Sequence, residues 1–518
     1  MPKTRMTAGP LLLLVLPLLL PASGQAEEAV TPEDVPPTQT RPAWVVTPRI
    51  SLSETYTDNV LLRNNANKRS DWITQISPGI RISGASARLK AHFDYSRHEL
   101  LYARDSGRKN SQNALNTFGT LEALDNLFYV DFSGTVAQQA ISALATLSPD
   151  NTSINRNQTE TATYRLSPYI KGQLPGLAEY VLRYTGTITR NSSSAASDLD
   201  QKDVILNIKG ITPFSRLLWS VNAARMDIDY SRGRSTEATK ATLGLSYQID
   251  HGLKVSVQGG REKNNYVTLN QTSESVHGYG LEWTPSARTR LSFDREHRFF
   301  GNSHRLAFEH RTPLTALRIT DSRDITTTSN TATSGSLGNI YDLLFTQMAS
   351  IEPDPVQRAV LVSNLLQNSG IAPNTVIAYN GLNSGPTLSR RQEISFALLG
   401  ARNTLTLVAS QSETERLGIL TYRFGDLAAV PSFRQRGLSL SLAHRLTPHS
   451  NLNVTASRQS SSAAASAADS NLRMLTVAVS SKFGPHTTAS LGFRRALFDG
   501  TLNSYSETAF IGTLNLQY

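Results

Sequence analysis

From residue 44 onward, apolar and polar residues alternate with a period of two. Ala241, Leu243, Leu245, Tyr247 and Ile249 alternate with Thr242, Gly244, Ser246, Gln248 and Asp250. Leu253, Val255 and Val257 alternate with Lys254, Ser256 and Gln258. Leu438, Leu440 and Leu442 alternate with Gly437, Ser439 and Ser441, and Leu452, Val454 and Ala456 with Asn453, Thr455 and Ser457. This pattern predicts strands with one apolar and one polar face. A soluble sandwich would alternate too. Three features favour a membrane barrel. The polar face is small and neutral, built from Ser, Thr, Asn, Gln and Gly, which suits a wet lumen. The segments run to about 10–13 residues, the length a tilted strand needs to cross a bilayer. The connections alternate between short and long.

The short connections repeat a motif. Thr212-Pro213-Phe214-Ser215, Thr284-Pro285-Ser286, Thr312-Pro313-Leu314-Thr315 and Thr447-Pro448-His449-Ser450 each end one predicted strand and precede the next. Proline presets φ at a turn and cannot serve a central ladder, so these are tight corners. Further turns are predicted near 83–86, 124–126, 173–176, 249–252, 400–403 and 483–487. Long polar connections are predicted near 58–70, 103–111, 140–157, 190–200, 230–236, 263–273, 298–303, 327–387, 415–433, 460–470 and 498–503. Eleven long loops joined through ten turns give an all-β, antiparallel transmembrane barrel of about 22 strands, with 18–24 accommodated.

The N-terminus departs from this pattern. Lys3 and Arg5 precede an apolar run from Leu11 to Leu20, followed by the small residues Ala22, Ser23, Gly24 and Ala26. These are the three parts of a secretory signal peptide, predicted over residues 1–26. The apolar run is too short to span comfortably as an anchor. Residues 27–43 are Pro- and acid-rich without periodicity, and are predicted to be a periplasmic linker. The barrel is predicted over 44–518. The 17 residues of the linker are too few for an N-terminal plug domain.

One insertion, 327–387, breaks the rhythm. Pro355 suits a first helical turn, and Val356, Val360, Leu361 and Asn364 share a helical spacing. Two short helices are predicted here. A loop this long is uncommon without a role. Constriction inside the barrel and a cap outside it are both open at this point.

Composition narrows the possible functions. The 518 residues include no cysteine, which excludes disulfides, thiolate metal sites, a cysteine nucleophile and lipid attachment through a thiol. Charged residues make up only 18%, with a net charge of +10 that falls to about +8 without the signal. Basic residues are not interleaved with aromatics, so no nucleic-acid surface is predicted. The excess suits anionic lipid headgroups instead. On the polar face lie Lys90, His92, Asp94, Arg183, Lys209, Lys254, Arg290, Asp294 and Glu296. We take Lys90, Asp94, Arg183, Lys209, Lys254, Arg290 and Asp294 as candidate pore-lining residues. Their mixed signs predict at most a weak anion preference, or simple cross-strand pairing. No nucleotide loop or metal spacing is present. His297 and His304, beside Asp294, Arg295 and Glu296, are the sole candidates for surface catalysis, and charged strand ends account for them without it. No enzyme activity and no cofactor are predicted.

The last strand places Phe510, Gly512, Leu514, Leu516 and the terminal Tyr518 on one face. An alternating apolar strand ending in an aromatic resembles the signal by which the barrel-assembly machinery recognises its clients. Phe510, Leu514, Leu516 and Tyr518 are its candidate residues.

Several motifs then carry a family resemblance. They are Glu54-Thr55-Tyr56-Thr57-Asp58-Asn59-Val60, Ser77-Pro78-Gly79-Ile80, Leu281-Glu282-Trp283-Thr284-Pro285, Arg298-Phe299-Phe300-Gly301, His310-Arg311-Thr312-Pro313, Gly400-Ala401-Arg402-Asn403-Thr404-Leu405 and Gln435-Arg436-Gly437-Leu438 through Thr447-Pro448. Over residues 44–518 the chain resembles the outer-membrane proteins associated with the PEP-CTERM/exosortase system. Their genes accompany exopolysaccharide production in Gram-negative bacteria. The resemblance implies a pathway and transfers no site residue. The expected role is a porin-like outer-membrane barrel that passes or anchors exopolysaccharide or its export machinery. The alternative is a non-conducting surface scaffold binding polysaccharide or sorted proteins. Expected partners are outer-membrane lipid and lipopolysaccharide, the barrel-assembly machinery, exopolysaccharide and periplasmic export components. A monomer is expected, since trimeric porins use smaller barrels.

Overall fold

The structure is a computed structural model. It describes residues 44–104, 109–214, 216–327, 385–418, 425–464 and 468–518, and in between residues 341, 344, 345, 348, 352, 354–369 and 382. The predicted signal peptide and linker lie outside the described residues.

Twenty-two strands follow one another: β1 (Trp44–Thr57), β2 (Asp71–Ala85), β3 (Leu89–Tyr102), β4 (Lys109–Leu124), β5 (Phe128–Ala140), β6 (Gln158–Leu174), β7 (Ala178–Asn191) and β8 (Leu199–Ile211). Then come β9 (Leu217–Tyr230), β10 (Thr236–Gln248), β11 (Leu253–Asn264), β12 (Thr272–Ser286), β13 (Thr289–Arg298), β14 (Gly301–Arg311) and β15 (Thr315–Thr326). After helix α1 (Pro355–Ser369) follow β16 (Thr387–Leu399), β17 (Asn403–Arg416), β18 (Ser432–Arg445), β19 (Ser450–Ala463), β20 (Asp469–Lys482), β21 (Thr487–Gly500) and β22 (Ser504–Gln517). Each strand pairs antiparallel with the next, and β22 returns to β1 from Arg49↔Gln517 to Thr57↔Ala509. The sheet is closed, so no edge is left to seek a partner in lipid.

The seam is held by the opening motif. Asp58 donates its backbone N–H to the Thr508 carbonyl at 3.0 Å and accepts the Thr508 N–H on its carboxylate at 2.7 Å. Thr57 donates to Glu507, and fully buried Asn59 donates to the Ser506 carbonyl at 3.0 Å. At the other end, Tyr518 donates its N–H to the Pro48 carbonyl.

The outer face is apolar. Leu243 is 66% exposed, Leu438 52% and Leu491 75%. Such a continuous apolar belt is unstable against water and at home against acyl chains. Tyr56 and Trp72 face outward at the loop edge, their rings 5.2 Å apart, while Trp219, Tyr247 and Trp283 face outward near the turn edge. Aromatic rings at both borders suit the two bilayer interfaces.

Three predicted connections need correction. Thr284-Pro285-Ser286 is the end of β12 and not a turn, and the chain turns two residues later. A register shift between Trp283 and Ser286 accommodates the proline without a ladder N–H. On the loop side, β13–β14 and β21–β22 are joined by only two and three residues. Gly301, at φ +94°, permits the first of these.

Candidate functional site in the lumen

Register assigns each side chain to lumen or lipid. Lys90, His92, Asp94, Phe118, Val408, Leu472, Met474, Ala496, Phe498 and Tyr505 share the lumenal phase of their strands. Seven of these ten, from Phe118 to Tyr505, are apolar or aromatic, and protein covers them.

The covering segment is the insertion. Asp354 caps α1, accepting N–H bonds from Val356 (2.9 Å) and Gln357 (3.2 Å), and Pro355 follows as the first helical residue. Val356, Ala359, Val362 and Leu366 form its buried face. The predicted face holds at Val356 but not beyond it: Leu361 is 40% exposed and Val360 only half-buried, because the helix turns Ala359, Val362 and Leu366 toward its neighbours. Asn364 lies outside the described side chains. Tyr341, Leu344 and Met348 join Val362, Leu366 and lumenal Val408 in one cluster. The Phe345 ring stacks on Tyr341 at 5.8 Å and meets the lumenal Phe118 edge-on at 5.7 Å. Arg358 lies over Phe345 at 4.8 Å. Helix α1 packs against β2, β3, β19 and β20. The described residues of the insertion therefore lie against the lumenal wall, and an external cap is excluded for them.

A salt bridge ties the helix start to the wall. Lys90 Nζ lies 3.0 Å from Asp354, one residue into β3 and next to the turn edge. Burial pushes the Asp354 carboxyl up. The hydrogen bonds from Lys90 and from the Gln357 and Val356 N–H groups outweigh it, leaving the group below the usual aspartate value.

A second segment, 141–157, folds over the same wall at the loop end. Asp150 lies 2.7 Å from Arg494, which also holds the fully buried Glu507 at 2.8 Å. Tyr505 Oη donates to the Leu147 carbonyl at 2.6 Å. Leu62, Leu147, Leu472, Ala496, Phe498 and Tyr505 pack together. Asp426 accepts bonds from the Ala143 N–H (2.8 Å) and the Ser142 hydroxyl. Burial still holds its carboxyl above the usual range.

The opposite wall is polar, and the α1 and 141–157 contacts described above lie elsewhere among the described residues. Its charges pair across strands: Arg183–Asp131 (2.6 Å), Lys240–Glu296 (2.5 Å), Lys254–Glu282 (2.5 Å), Arg290–Glu282 (2.7 Å) and Arg298–Glu262 (2.7 Å). Arg183 also lies 3.9 Å over the Tyr169 ring, itself stacked on Tyr129.

The seven candidate pore residues occupy lumenal register positions but form no single cluster. Lys90 holds α1, and Asp94 bridges Arg49 and Arg81. Arg183, Lys254 and Arg290 sit in the pairs above. Lys209 lies opposite Glu179, and Asp294 opposite Arg305. Phe510, Leu514 and Leu516 face outward beside Tyr56, Leu52 and Ile50 of β1. Tyr518 stacks on His486 at 5.6 Å. His297 and His304 face outward too, His297 beside His277 at 5.1 Å and His304 3.1 Å from Asp321. They are on the wall's lipid side. Among the described residues, no group of three His, Asp or Glu side chains is placed to hold a metal.

Asp150, Asp354, Arg494 and Glu507 went unnoticed in the sequence. A usable signal existed: Leu472 and Met474, and Ala496 and Phe498, place apolar residues on the phase that elsewhere holds Ser and Thr.

Solved structures similar to this chain include the siderophore receptor PirA from Pseudomonas aeruginosa, at 8% identity, covering 92% of this chain and 81% of that one, TM-score 0.45. The FrpB iron transporter from Neisseria meningitidis is similar at 10% identity, covering 91% and 82%, TM-score 0.46. The outer membrane protein opdK from Pseudomonas aeruginosa is similar at 9% identity, covering 92% and 99%, TM-score 0.32. No protein-family model and no curated protein matches the chain.

Proposed function

We propose that this chain is an outer-membrane passage, obstructed at rest, that serves exopolysaccharide export or surface sorting of the PEP-CTERM type. The observation that carries the obstruction is α1 lodged against β2, β3, β19 and β20. The free wall supports a polar cargo. Ser220, Asn222, Thr242, Ser256 and Gln258 supply neutral hydrogen-bonding groups suited to sugar hydroxyls. Export by a signal peptide and barrel insertion through the C-terminal strand belong to the same proposal.

Single-channel conductance in planar bilayers tests it, with the intact chain and a variant lacking 327–387. Silence in the intact chain and large conductance in the variant is the expected result. Unaffected polymer secretion in a deletion strain would remove the export role. The scaffold reading draws on one specific observation, the 141–157 segment tied down by Arg494. Silence of both proteins, with correct heat-modifiable migration, would favour that reading.

A further inference from the structure

The outer face of β13–β18 carries a row of charge just above the apolar belt. Arg295, His304, Arg323, Arg390, Glu413 and Arg434 are directly opposite one another on six successive strands. The next outward row toward the turn edge is Leu306, Asp321, Gln392, Gln411 and Arg436. The row below that is apolar throughout: Phe308, Ile319, Ile394, Ala409 and Leu438. Strands about 4.8 Å apart make the charged row about 24 Å wide.

The two charged rows hold five arginines against two carboxylates. Asp321 is shared by Arg390 (3.1 Å), His304 (3.1 Å) and Gln392 (3.0 Å), and Glu413 takes Arg434 at 3.1 Å. Arg436 donates to the neutral Gln411, and Arg323 to the Asn302 carbonyl. Arg295 is exposed. The rim of β3–β9 at the same edge is different. There Arg97–Glu99 (2.5 Å), Arg190–Asp200 (2.7 Å) and Arg225–Asp227 (3.0 Å) close their charge one for one.

A surplus of guanidinium groups, facing lipid and bordering the acyl region on the long-loop side, matches a phosphorylated lipid headgroup. We infer that β13–β18 form a binding surface for a phosphorylated, multiply acylated lipid of the outer leaflet. The arginines take its phosphates, and the apolar row takes its chains.

The test uses the full chain in nanodiscs, with bisphosphorylated lipid A, its phosphate-free counterpart and phosphatidylethanolamine as probes. Native mass spectrometry reads retained lipid. Arg323→Gln/Arg390→Gln/Arg434→Gln is expected to weaken lipid A retention about a hundredfold and leave the phosphate-free lipid unchanged. Arg97→Gln/Arg190→Gln/Arg225→Gln is the location control and is expected to change retention less than about threefold. If the first variant fails to migrate as a folded barrel, Arg295→Gln/Arg436→Gln, which breaks no ion pair, replaces it with an expected loss of at least about tenfold. Equal retention of phosphorylated and phosphate-free lipid A, or equal losses on the two sides of the barrel, would overturn the assignment.

Discussion

The two halves of the lumen differ in what their inward side chains meet. On β3, β4 and β17–β22 the inward phase includes Phe118, Val408, Leu472, Ala496, Phe498 and Tyr505, covered by α1 and the 141–157 segment. On β9–β13 the same phase holds Ser220, Asn222, Thr242, Ser256 and Gln258, with ion pairs between them. The strands share antiparallel pairing and an apolar band toward lipid. The inward residues differ: apolar side chains stand where protein covers the wall, and polar ones where the described residues leave it uncovered. In a barrel, then, the polarity of the inward phase reports what fills the lumen.

The sharpest break of this contrast is Arg494→Met. The change leaves Glu507, fully buried, and Asp150 without their counter-charge. Removing one partner of a buried pair costs about 3–5 kcal/mol. The midpoint of heat-modifiable migration is expected to fall, and 141–157 to become protease-sensitive. A wild-type midpoint would mean that water already reaches this site. Leu366→Ala comes next. Leu366 is 1% exposed in the α1 cluster, and truncating a buried leucine costs about 2–5 kcal/mol. The cost falls on the contact between helix and wall, so the barrel is expected to keep its migration and begin to conduct. Loss of barrel migration would show that the helix is part of the folding core.

Most of the barrel was legible because lipid imposes a strict rule. Every strand must alternate, and each chain reversal on the terminal side is tight, as at Thr312-Pro313 and Thr447-Pro448. What covers the wall was not legible. The helical spacing in 355–369 admits several faces, and the wall selected Val356, Ala359, Val362 and Leu366 through contacts with residues some fifty to several hundred positions away. The Arg494–Asp150 pair spans a separation of 344 residues, which no local pattern encodes. The proline at 285 misplaced a turn because a bulge tolerates it as well as a corner does.

The free wall is expected to respond less. Arg183→Gln removes a half-exposed ion pair and a cation–π contact with Tyr169, together worth about 1 kcal/mol. Stability is expected to change little. In the protein lacking 327–387, reversal potentials under a salt gradient are expected to shift toward cations, because Asp131 is left uncompensated. An unchanged reversal potential would place the ion path away from β5–β7.

The smallest effect separates two aspartates in the covered half. Asp354 has its carboxyl below the usual value of 3.8 in the folded chain, so its contribution is present above that pH and is lost as pH falls through the lower, folded value. Asp426 is shifted the other way, so acidification through its raised value favours the folded contact with Ser142 and Ala143. The Lys90–Asp354 pair is partly exposed and worth less than about 1 kcal/mol. Conductance of the intact chain is therefore expected to stay silent from neutral pH down to about pH 4, and brief openings to begin only below it. Lys90→Gln is expected to give such openings at neutral pH, and to flatten most of the acid response. If openings instead begin on raising the pH through the Asp426 range, the 141–157 contact, and not the Lys90 tether of α1, holds the lumen shut.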